Sequence, residues 1–543
     1  MKRFKLFLAM AALACAIGLT VKYGSTYRPV VEPVREIEEI WALEDAREES
    51  EEPLVTRLFC NGIPMVYDAE NNVFYGSLGL ENGAQWPKIK LTASEETAKG
   101  LSLCFADDYG FDDCDAAIRE GYSYQIFAYT DTAYSYAEVV FTGLPLVNVT
   151  AEQTIEREDV PAQIEIALAA EGLQTNGRIH KRGGASILND KVGYKLEFTR
   201  TTDGKKKIYR EIPGMGTDSQ VILLPMNALD TTMMRDRLSW ALYARLTRRD
   251  EPFSARKTQY CELFLNGEYR GVYLMLEPFS VRQEVAKAGE ERLTTDSVYR
   301  TAVISLSHGR PCMEDPYSAA TGFELYYPMD GEPDFSPLAD YFALLGEMDD
   351  AAFMRRAAQI IDLDSALRYD VVLQLFGLTD NVINNMYTWA QNSRGHTRYR
   401  FDFWDLDVSW GLKRDEIGEM HENWVFFPLV DRLLRADEEG GVRKRYGEIY
   451  REVREKAFDT ETVEALVGQY AHELNDSGAM ARNAERWETE NYAADGYELV
   501  AFAAERIALL DEPVRAMSAG EEIDLRFLEK TNYDDKGTPL SEE

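Results

Sequence analysis

The chain has 543 residues, a length that predicts about two to four domains rather than one compact core. Its formal net charge of −35, from 94 acidic and 59 basic residues, argues against a nucleic-acid partner, because such a surface repels phosphate backbones. Only five histidines occur, without a paired spacing, which argues against a zinc enzyme. With 45% hydrophobic and 11% aromatic residues the chain is globular, and its acidic surface suits cations and basic partner proteins.

Residues 1–30 have the pattern of an export signal or a membrane anchor. Lys2, Arg3 and Lys5 precede an apolar run over residues 6–21, which is typical of an export signal. The same run is just long enough to span a bilayer as an uncleaved anchor, and both alternatives stay open. We therefore expect an extracytoplasmic protein, secreted or anchored, whose contact with the membrane is confined to this segment.

The next segment, residues 31–53, is mostly acidic and has no apolar face. This composition predicts a solvated linker, helical or disordered, that leads from the N-terminal segment to the first folded domain.

Residues 54–146 contain about six short runs in which apolar and polar side chains alternate. Asn-Gly pairs at 61–62 and 82–83 provide turns, so the pattern predicts a small all-β, sandwich-like domain. No catalytic constellation is visible in it. We therefore expect an accessory module whose removal leaves nucleotide binding in place.

The cysteines leave two alternatives open. Cys104 and Cys114 flank the acidic loop FADDYGFDD and could form a disulfide across it. Alternatively, all the cysteines beyond the N-terminal segment are buried free thiols in a large core. These are Cys60, Cys104, Cys114, Cys261 and Cys312.

In residues 147–518 the predicted strands come first and the predicted helices follow, the order typical of an α+β domain. A helix is predicted after the capping candidates Asp230 and Thr231, because apolar residues recur at helical spacing from 234 to 246. A hairpin is predicted around Asn266-Gly267, and nearly continuous helix follows from 422 to 516. The tail, residues 519–543, is polar and expected to be frayed.

A strand lysine and a glycine turn form the first candidate site. Lys195 lies mid-strand in GYKLEF, where a solvent-facing lysine is the plainer interpretation. Before it, the segment RGGAS places Gly183 and Gly184 next to each other, and such glycines let backbone N–H groups approach an anion. Glu277 ends an apolar strand before a proline, either as a strand terminator or as a hinge beside a nucleotide base.

The segment LTDNVINNMYTW carries the second candidate site. Asp380 and Asn385 have the D-x-x-x-x-N spacing of a kinase catalytic loop, in which the Asp accepts a hydroxyl proton and the Asn holds Mg²⁺. Asp405 is expected to end the strand YRFDFW, with Asp407 on the same face, and such carboxylates suit a hard cation. The plainer alternative is a capped helix followed by a hairpin.

These motifs together resemble the CotH-type kinase family, the atypical kinases of spore coats and their secreted relatives. The resemblance covers residues from about 178 to 512, excludes the predicted β-domain, and is most specific in CELFLNGEYRGVYLMLEPF. Other matching motifs are KRGGAS, GYKLEF, LTDNVINNMYTW and RFDFWDLDVSWG. It implies an atypical kinase-like, two-lobed fold over residues 147–518 that transfers the γ-phosphoryl group of ATP to Ser or Thr with Mg²⁺ or Mn²⁺.

The resemblance also implies roles for individual residues. Asp380 corresponds to the catalytic base, and Lys195 to the catalytic lysine that binds the ATP phosphates. The implied metal ligands are Asn385, Asp405 and Asp407. Nucleotide binding is implied for Arg182, Gly183, Gly184, Ser186 and Glu277.

The chain departs from the family pattern in ways that leave alternatives open. Ala185 replaces a serine of the glycine-turn motif, and the predicted helix after Thr231 has no glutamate for Lys195, only the short Asp236. A pseudokinase is therefore open, as is a non-catalytic surface or spore-coat scaffold whose β-domain binds a partner. For an enzyme, the acidic surface would attract a basic, Ser-rich protein substrate.

Overall fold

The computed structural model describes part of the chain, and the predicted N-terminal signal or anchor lies outside it. Among the described residues no helix has the length and hydropathy needed to cross a membrane. Strands dominate the first half of the chain and helices the second, so the predicted α+β class is confirmed. The described residues are 30–32, 35–80, 89–94, 100–106, 114–183, 185–226, 230–247, 255–279, 296–302, 323–328, 334–346, 348–393, 395–412, 424–425, 427–489 and 493–521.

The N-terminal β region, residues 30–142, consists of two sheets that share a hydrophobic cluster. The larger sheet has the order β1-β8-β9-β10-β6-β5, with β2 also paired to β10, and the smaller has the order β4-β3-β7. The elements are β1 (Val31–Glu32), α1 (Ile37–Asp45), β2 (Glu48–Glu49), β3 (Leu58–Cys60), β4 (Ile63–Pro64), β5 (Val66–Asp68), β6 (Val73–Ser77), β7 (Leu91–Ala93), β8 (Ser102–Phe105), α2 (Cys114–Arg119), β9 (Ser123–Tyr129) and β10 (Ala133–Thr142).

The acidic segment 31–53 is part of this region, in contrast to the predicted linker. Strand β1 pairs with β8, β2 pairs with β10, and α1 buries Ile40 completely. Both side chains of β2, Glu48 and Glu49, are exposed, so only the backbone of this strand takes part in the sheet. Pairing of this kind requires no apolar face, which is why the composition did not reveal it.

The disulfide between Cys104 and Cys114, one of the two alternatives, is not formed. Cys104 packs with Ile40 and Phe127, whereas Cys114 belongs to a different cluster together with Cys60. The described cysteines are buried and form no disulfide, and burial, followed by the neighbouring Cys114, raises the pKa of Cys60 to about 12. Cys312 lies outside the described residues.

A closed seven-stranded barrel follows, in the order β11-β12-β13-β14-β17-β19-β18. Residues alternate across the barrel wall, so Tyr194, Leu196 and Phe198 fill the interior, while Lys195 and Glu197 lie on the outer face. The strands are β11 (Leu146–Thr150), β12 (Val160–Leu168), β13 (Glu171–Arg182), β14 (Gly193–Thr199), the hairpin β15 (Arg210–Ile212) with β16 (Gly216–Asp218), then β17 (Gln220–Leu224), β18 (Thr258–Leu265) and β19 (Glu268–Leu276).

The remaining elements pack on the outer face of the barrel around a second, larger core. They form a four-stranded sheet, in the order β21-β20-β22-β23, and most of the helices. They are α3 (Arg235–Ala244), β20 (Ser297–Ala302), β21 (Phe323–Tyr327), α4 (Ala339–Leu345), α5 (Asp350–Ile360), α6 (Leu363–Phe376), α7 (Asp380–Ile383), β22 (Asn384–Ser393), β23 (His396–Phe403), α8 (Pro428–Arg435), α9 (Gly441–Lys456), α10 (Thr460–Asp476), α11 (Ala479–Trp487) and α12 (Tyr497–Ala519).

The N-terminal β region is packed against the rest of the chain. Val66 shares a buried cluster with Leu146 and Phe264 of the barrel. At the end of β10, Thr142 Oγ1 donates a hydrogen bond of 3.1 Å to the carbonyl oxygen of Ser477, which follows α10. The N-terminal β region therefore packs directly on the barrel and on the helices, and the survival of nucleotide binding after its removal stays a prediction.

Candidate active site

Asp380 lies at the start of the single turn α7, where two amides orient its carboxylate. Asn384 Nδ2 donates to Oδ1 over 3.0 Å, and Asn385 Nδ2 donates to Oδ2 over 2.8 Å. The residue is only 2% exposed. Because Asn385 uses its amide nitrogen on Asp380, its amide oxygen is the atom left to face a cation. The predicted spacing therefore corresponds to a direct contact between the two side chains.

Backbone hydrogen bonds bring this turn against the segment that contains Asp405. Trp404 N donates to the Asn385 carbonyl oxygen over 3.0 Å, and Asn381 Nδ2 donates to the Trp404 carbonyl oxygen over 2.7 Å. Asn385 and Asp405 both have left-handed backbones, with φ of 58° and 57°. Such backbone conformations are costly for residues other than glycine and cluster at functional sites, where the surrounding structure holds them.

The sequence predicted that Asp405 ends a strand and that Asp407 lies on the same strand face, but the strand ends before both residues. Strand β23 ends at Phe403, and residues 404–407 are irregular. The left-handed backbone at Asp405 breaks the strand geometry, so alternation of side chains no longer applies. The carboxylates of Asp405 and Asp407 nevertheless both affect the pKa of one buried acid of α3.

That acid is Asp236, whose role the sequence did not reveal. Its Oδ1 accepts a 3.0 Å hydrogen bond from the backbone N–H of Leu406, between Asp405 and Asp407. Burial raises the pKa of Asp236 well above its ordinary value, and the negative charges of Asp407 and Asp405 raise it further. In the sequence, the available signal was the single acid of the predicted helix, which lies between two arginines in its first turn.

The donor set at this position fits a hard divalent cation. Asn385, Asp405 and Asp407 offer oxygen atoms alone, and Mg²⁺ typically uses one or two carboxylates together with substrate phosphates. A divalent cation would also reduce the repulsion among the carboxylates around Asp236. Among the described residues no group of three His, Cys, Asp or Glu side chains is arranged to hold a metal ion.

Lys195 projects from the outer face of β14, opposite His180 of β13 and Ile222 of β17. Burial lowers its pKa, and the positive charges of Lys207 and Arg182 lower it further, against opposing effects of nearby carboxylates. Within the described part of the chain, no carboxylate lies within salt-bridge distance of Lys195. The helix α3 contains no glutamate.

Arg182 joins the barrel to the irregular segment after β23. It ends β13, and its guanidinium carbon lies 5.5 Å from the centre of the Trp404 ring, next to Asp405. Gly183 follows with a φ of 132°, a conformation that favours glycine. Gly184 and the side chain of Ser186 lie outside the described residues. Arg182 thus connects the part of the site that contains Lys195 with the part that contains Asp405.

A comparison with protein families gives a match over this part of the chain. The family model described as CotH kinase protein matches residues 179–510. The chain belongs to the CotH kinase family. The CotH match begins within β13 and ends within α12, so it includes every candidate residue and excludes the N-terminal β region. No curated protein sequence is significantly similar to the chain.

Glu277 makes a hydrogen bond at the end of a barrel strand in this CotH-family chain. Its Oε2 accepts a 3.1 Å hydrogen bond from the backbone N–H of Lys257, at the open end of the β18–β19 hairpin. This contact is the strand-terminating role that the sequence offered as an alternative. Two residues later, Phe279 stacks on Tyr387 with ring centres 4.2 Å apart, where the barrel meets the four-stranded sheet. The proposed contact of Glu277 with a nucleotide base stays a prediction.

Proposed function

We propose that this CotH-family protein is an ATP-dependent protein kinase that phosphorylates Ser or Thr hydroxyls of secreted or cell-surface proteins. The supporting observation is that Asp380, Asn385 and the segment containing Asp405 are joined by direct hydrogen bonds. This arrangement brings a proton acceptor next to ligands for a cation, which is what phosphoryl transfer requires. In this proposal the barrel and the helical part with its four-stranded sheet correspond to the two lobes of a kinase.

Asp380 is the proposed proton acceptor. The two amide hydrogen bonds hold its carboxylate in one orientation, so that it can receive the proton of an acceptor hydroxyl as the new P–O bond forms. A fixed base of this kind contributes roughly 10²–10⁴-fold to rate. Burial of the residue at 2% exposure also limits competition from water.

Asn385, Asp405 and Asp407 are the proposed residues for Mg²⁺ or Mn²⁺. A bound cation would neutralise negative charge on the phosphates while the phosphoryl group is transferred. The chain's own residues present the amide oxygen of Asn385 and the carboxylate of Asp405 from two left-handed residues on adjacent segments. Their backbones are held together by the bond between Trp404 and Asn385, so the ligands are aligned before the cation arrives.

Lys195 and Arg182 are the proposed phosphate-binding side chains, together with Gly183, Gly184 and Ser186. Burial, followed by the positive charges of Lys207 and Arg182, lowers the pKa of Lys195 against the opposing effect of nearby carboxylates, and no described carboxylate pairs with it. The polyphosphate of ATP would supply the missing negative charge. The acceptor in this proposal is a basic, Ser-rich protein outside the cytoplasm, attracted by the net charge of −35.

One observation favours a non-catalytic alternative. Active protein kinases pair the strand lysine with a helix glutamate, and no such pair occurs among the described residues here. The alternative is a CotH-like pseudokinase that serves as a surface or spore-coat scaffold. In that case the N-terminal β region, rather than the site at Asp380, would bind the partner.

Phosphoryl transfer to a basic, Ser-rich peptide tests the proposal. The purified chain is incubated with labelled ATP and either Mg²⁺ or Mn²⁺, beside an Asp380→Asn variant and a metal-free control. We expect labelled Ser or Thr from the natural chain only, and metal-dependent nucleotide binding by both proteins. Nucleotide binding without transfer would support the pseudokinase, and absence of nucleotide binding would support a scaffold without any kinase chemistry.

A further inference from the structure

Three consecutive charged residues, Arg235, Asp236 and Arg237, open α3 and are all buried. Their exposures are 4%, 5% and 9%. Buried charges are costly unless each is paired, so three in one turn call for specific partners. We call these residues the charged turn. Its partners lie on five separate parts of the chain.

Two residues of the charged turn hold the segment that carries the proposed metal ligands. Asp236 accepts from Leu406 N over 3.0 Å, and Arg235 Nε donates to the Ser409 carbonyl oxygen over 3.1 Å. Arg235 is itself fixed by ion pairs with Asp230 and Glu498. The backbone between residues 406 and 409 is thus held at two points by adjacent side chains of one helix turn.

Arg237 anchors the turn without contacting that segment. Its guanidinium carbon lies 4.3 Å from the ring centre of Tyr260 on β18 and 4.4 Å from that of Tyr470 on α10. Its Nη1 lies 2.7 Å from Oε2 of Glu473, also on α10. Two aromatic faces and a carboxylate together fix the guanidinium plane, and with it the rotation of α3 about its axis.

We propose that the charged turn positions the metal-binding segment and that Arg237 is its anchor. The inference rests on the proposed function and adds to it how the site is aligned. In kinases generally, a helix glutamate paired with the strand lysine aligns the site. Here α3 has no such residue, and its contacts reach the segment after β23 instead. Arg237 is therefore a positioning residue, which acts through Asp236 and Arg235.

Variants of Arg237 and Glu473 test the proposal in the full chain. Arg237→Lys keeps a positive charge near Glu473 but loses the planar stack between the tyrosines. Glu473→Gln keeps the stack and removes the ion pair. Arg245→Lys is the matched control, since Arg245 caps the same helix, is exposed and donates to the Thr462 hydroxyl over 3.4 Å.

We expect faster hydrogen exchange in residues 404–412 of both variants, and weaker apparent Mn²⁺ affinity in the presence of nucleotide. Turnover should fall about 10²-fold, the loss typical of a displacement near 1 Å, with KM for the peptide unchanged. The control should match the natural chain. A lower melting temperature with unchanged exchange in 404–412 and unchanged turnover per folded molecule would overturn the proposal.

The exchange measurement keeps the two proposals separable. If the natural chain binds no Mn²⁺-nucleotide, the proposed function fails, and the exchange of residues 404–412 still decides whether Arg237 positions them. If the natural chain transfers phosphate and Arg237→Lys leaves both exchange and turnover unchanged, the positioning role fails and the function stands.

Discussion

At Asp380, one hydrogen bond joins the proposed base to a proposed metal ligand. Asn385 donates its amide to Asp380 and has only its amide oxygen left for a cation. The two residues therefore have different consequences when changed, although they are neighbours. Loss of the base affects the chemical step, whereas loss of the ligand affects binding of the metal and nucleotide.

Asp380→Asn should leave nucleotide affinity nearly unchanged and lower turnover roughly 10²–10⁴-fold, because the proton acceptor is lost. Asn385→Ala should weaken metal and nucleotide binding together. Calorimetric titration with Mg²⁺-nucleotide and transfer rates distinguish the two. If Asp380 merely caps a turn, its loss costs about 0.5–2 kcal/mol of stability and leaves turnover per folded molecule unchanged.

Asp405→Asn removes one charge at nearly constant shape, and asparagine also tolerates the φ of 57° that Asp405 adopts. A hard cation bound by few protein ligands cannot lose a carboxylate without a large effect. We expect metal-dependent nucleotide affinity to fall by at least about tenfold while the fold survives. Unchanged affinity in a titration with Mn²⁺-nucleotide would reject Asp405 as a ligand.

At the scale of elements, helices α6 and α9 share a buried polar contact. Asp370 of α6 is fully buried and accepts hydrogen bonds from Tyr446 Oη over 2.8 Å and from Gln374 Nε2 over 3.3 Å. Gln374 also donates to the Val425 carbonyl oxygen over 2.6 Å. Burial raises the pKa of Asp370 to about 7, and these hydrogen bonds only partly oppose it.

The raised pKa of Asp370 predicts a loss of stability with rising pH. The folded state holds the proton more tightly than the unfolded state, whose pKa stays near 3.8. Protonated Asp370 therefore contributes about 4 kcal/mol to the free energy of unfolding. This contribution is complete below about pH 4 and is lost as the pH rises to about 7. Urea unfolding at several pH values tests this: from pH 5 to pH 8 the free energy of unfolding of Asp370→Asn should rise relative to that of the natural chain.

A matched control separates this linkage from general effects of charge. Glu505 lies exposed on α12, so Glu505→Gln changes the net charge equally without removing a buried carboxyl. The difference in free energy of unfolding between Glu505→Gln and the natural chain should not change between pH 5 and pH 8. An equal pH trend in both variants would show that Asp370 is not the group responsible.

At the scale of the whole molecule, the N-terminal β region meets the helices at Gly478. This glycine precedes α11 with φ of 71°, and a Cβ there would lie 2.4 Å from the carbonyl oxygen of Ile118 in α2. The adjacent Ser477 accepts the hydrogen bond from Thr142. Removal of residues 54–146 would also uncover Phe264, which is fully buried.

Gly478→Ala should loosen this junction more than Gly440→Ala does. Gly440 precedes α9 with φ of 75°, but nothing lies within 4 Å of a Cβ there. Both variants suffer the left-handed strain, about 1–2 kcal/mol, and only Gly478→Ala adds the clash. Thermal melts and limited proteolysis compare the two. Equal melting temperatures and equal cleavage of the N-terminal β region would contradict the packing described.

Local signals predicted much of the fold. The turn Asn266-Gly267 joins β18 and β19, with φ of 53° and 83°, as the residue pair predicts. Helical spacing located α3 and the C-terminal helices. The D-x-x-x-x-N spacing brought Asp380 and Asn385 into contact. These features depend on residues that are a few positions apart, so the local conformational preferences of those residues are enough to predict them.

The sequence by itself thus determined the α+β class, the family motifs and the pair Asp380 and Asn385. Tertiary structure alone decided that acidic strands near residues 31 and 48 join a sheet, and that Glu277 binds a strand end. It also decided that Asp236 contacts Leu406, 170 positions away. The physical reason is that the partner of a backbone edge or a buried charge is set by long-range packing, which residue spacing cannot encode.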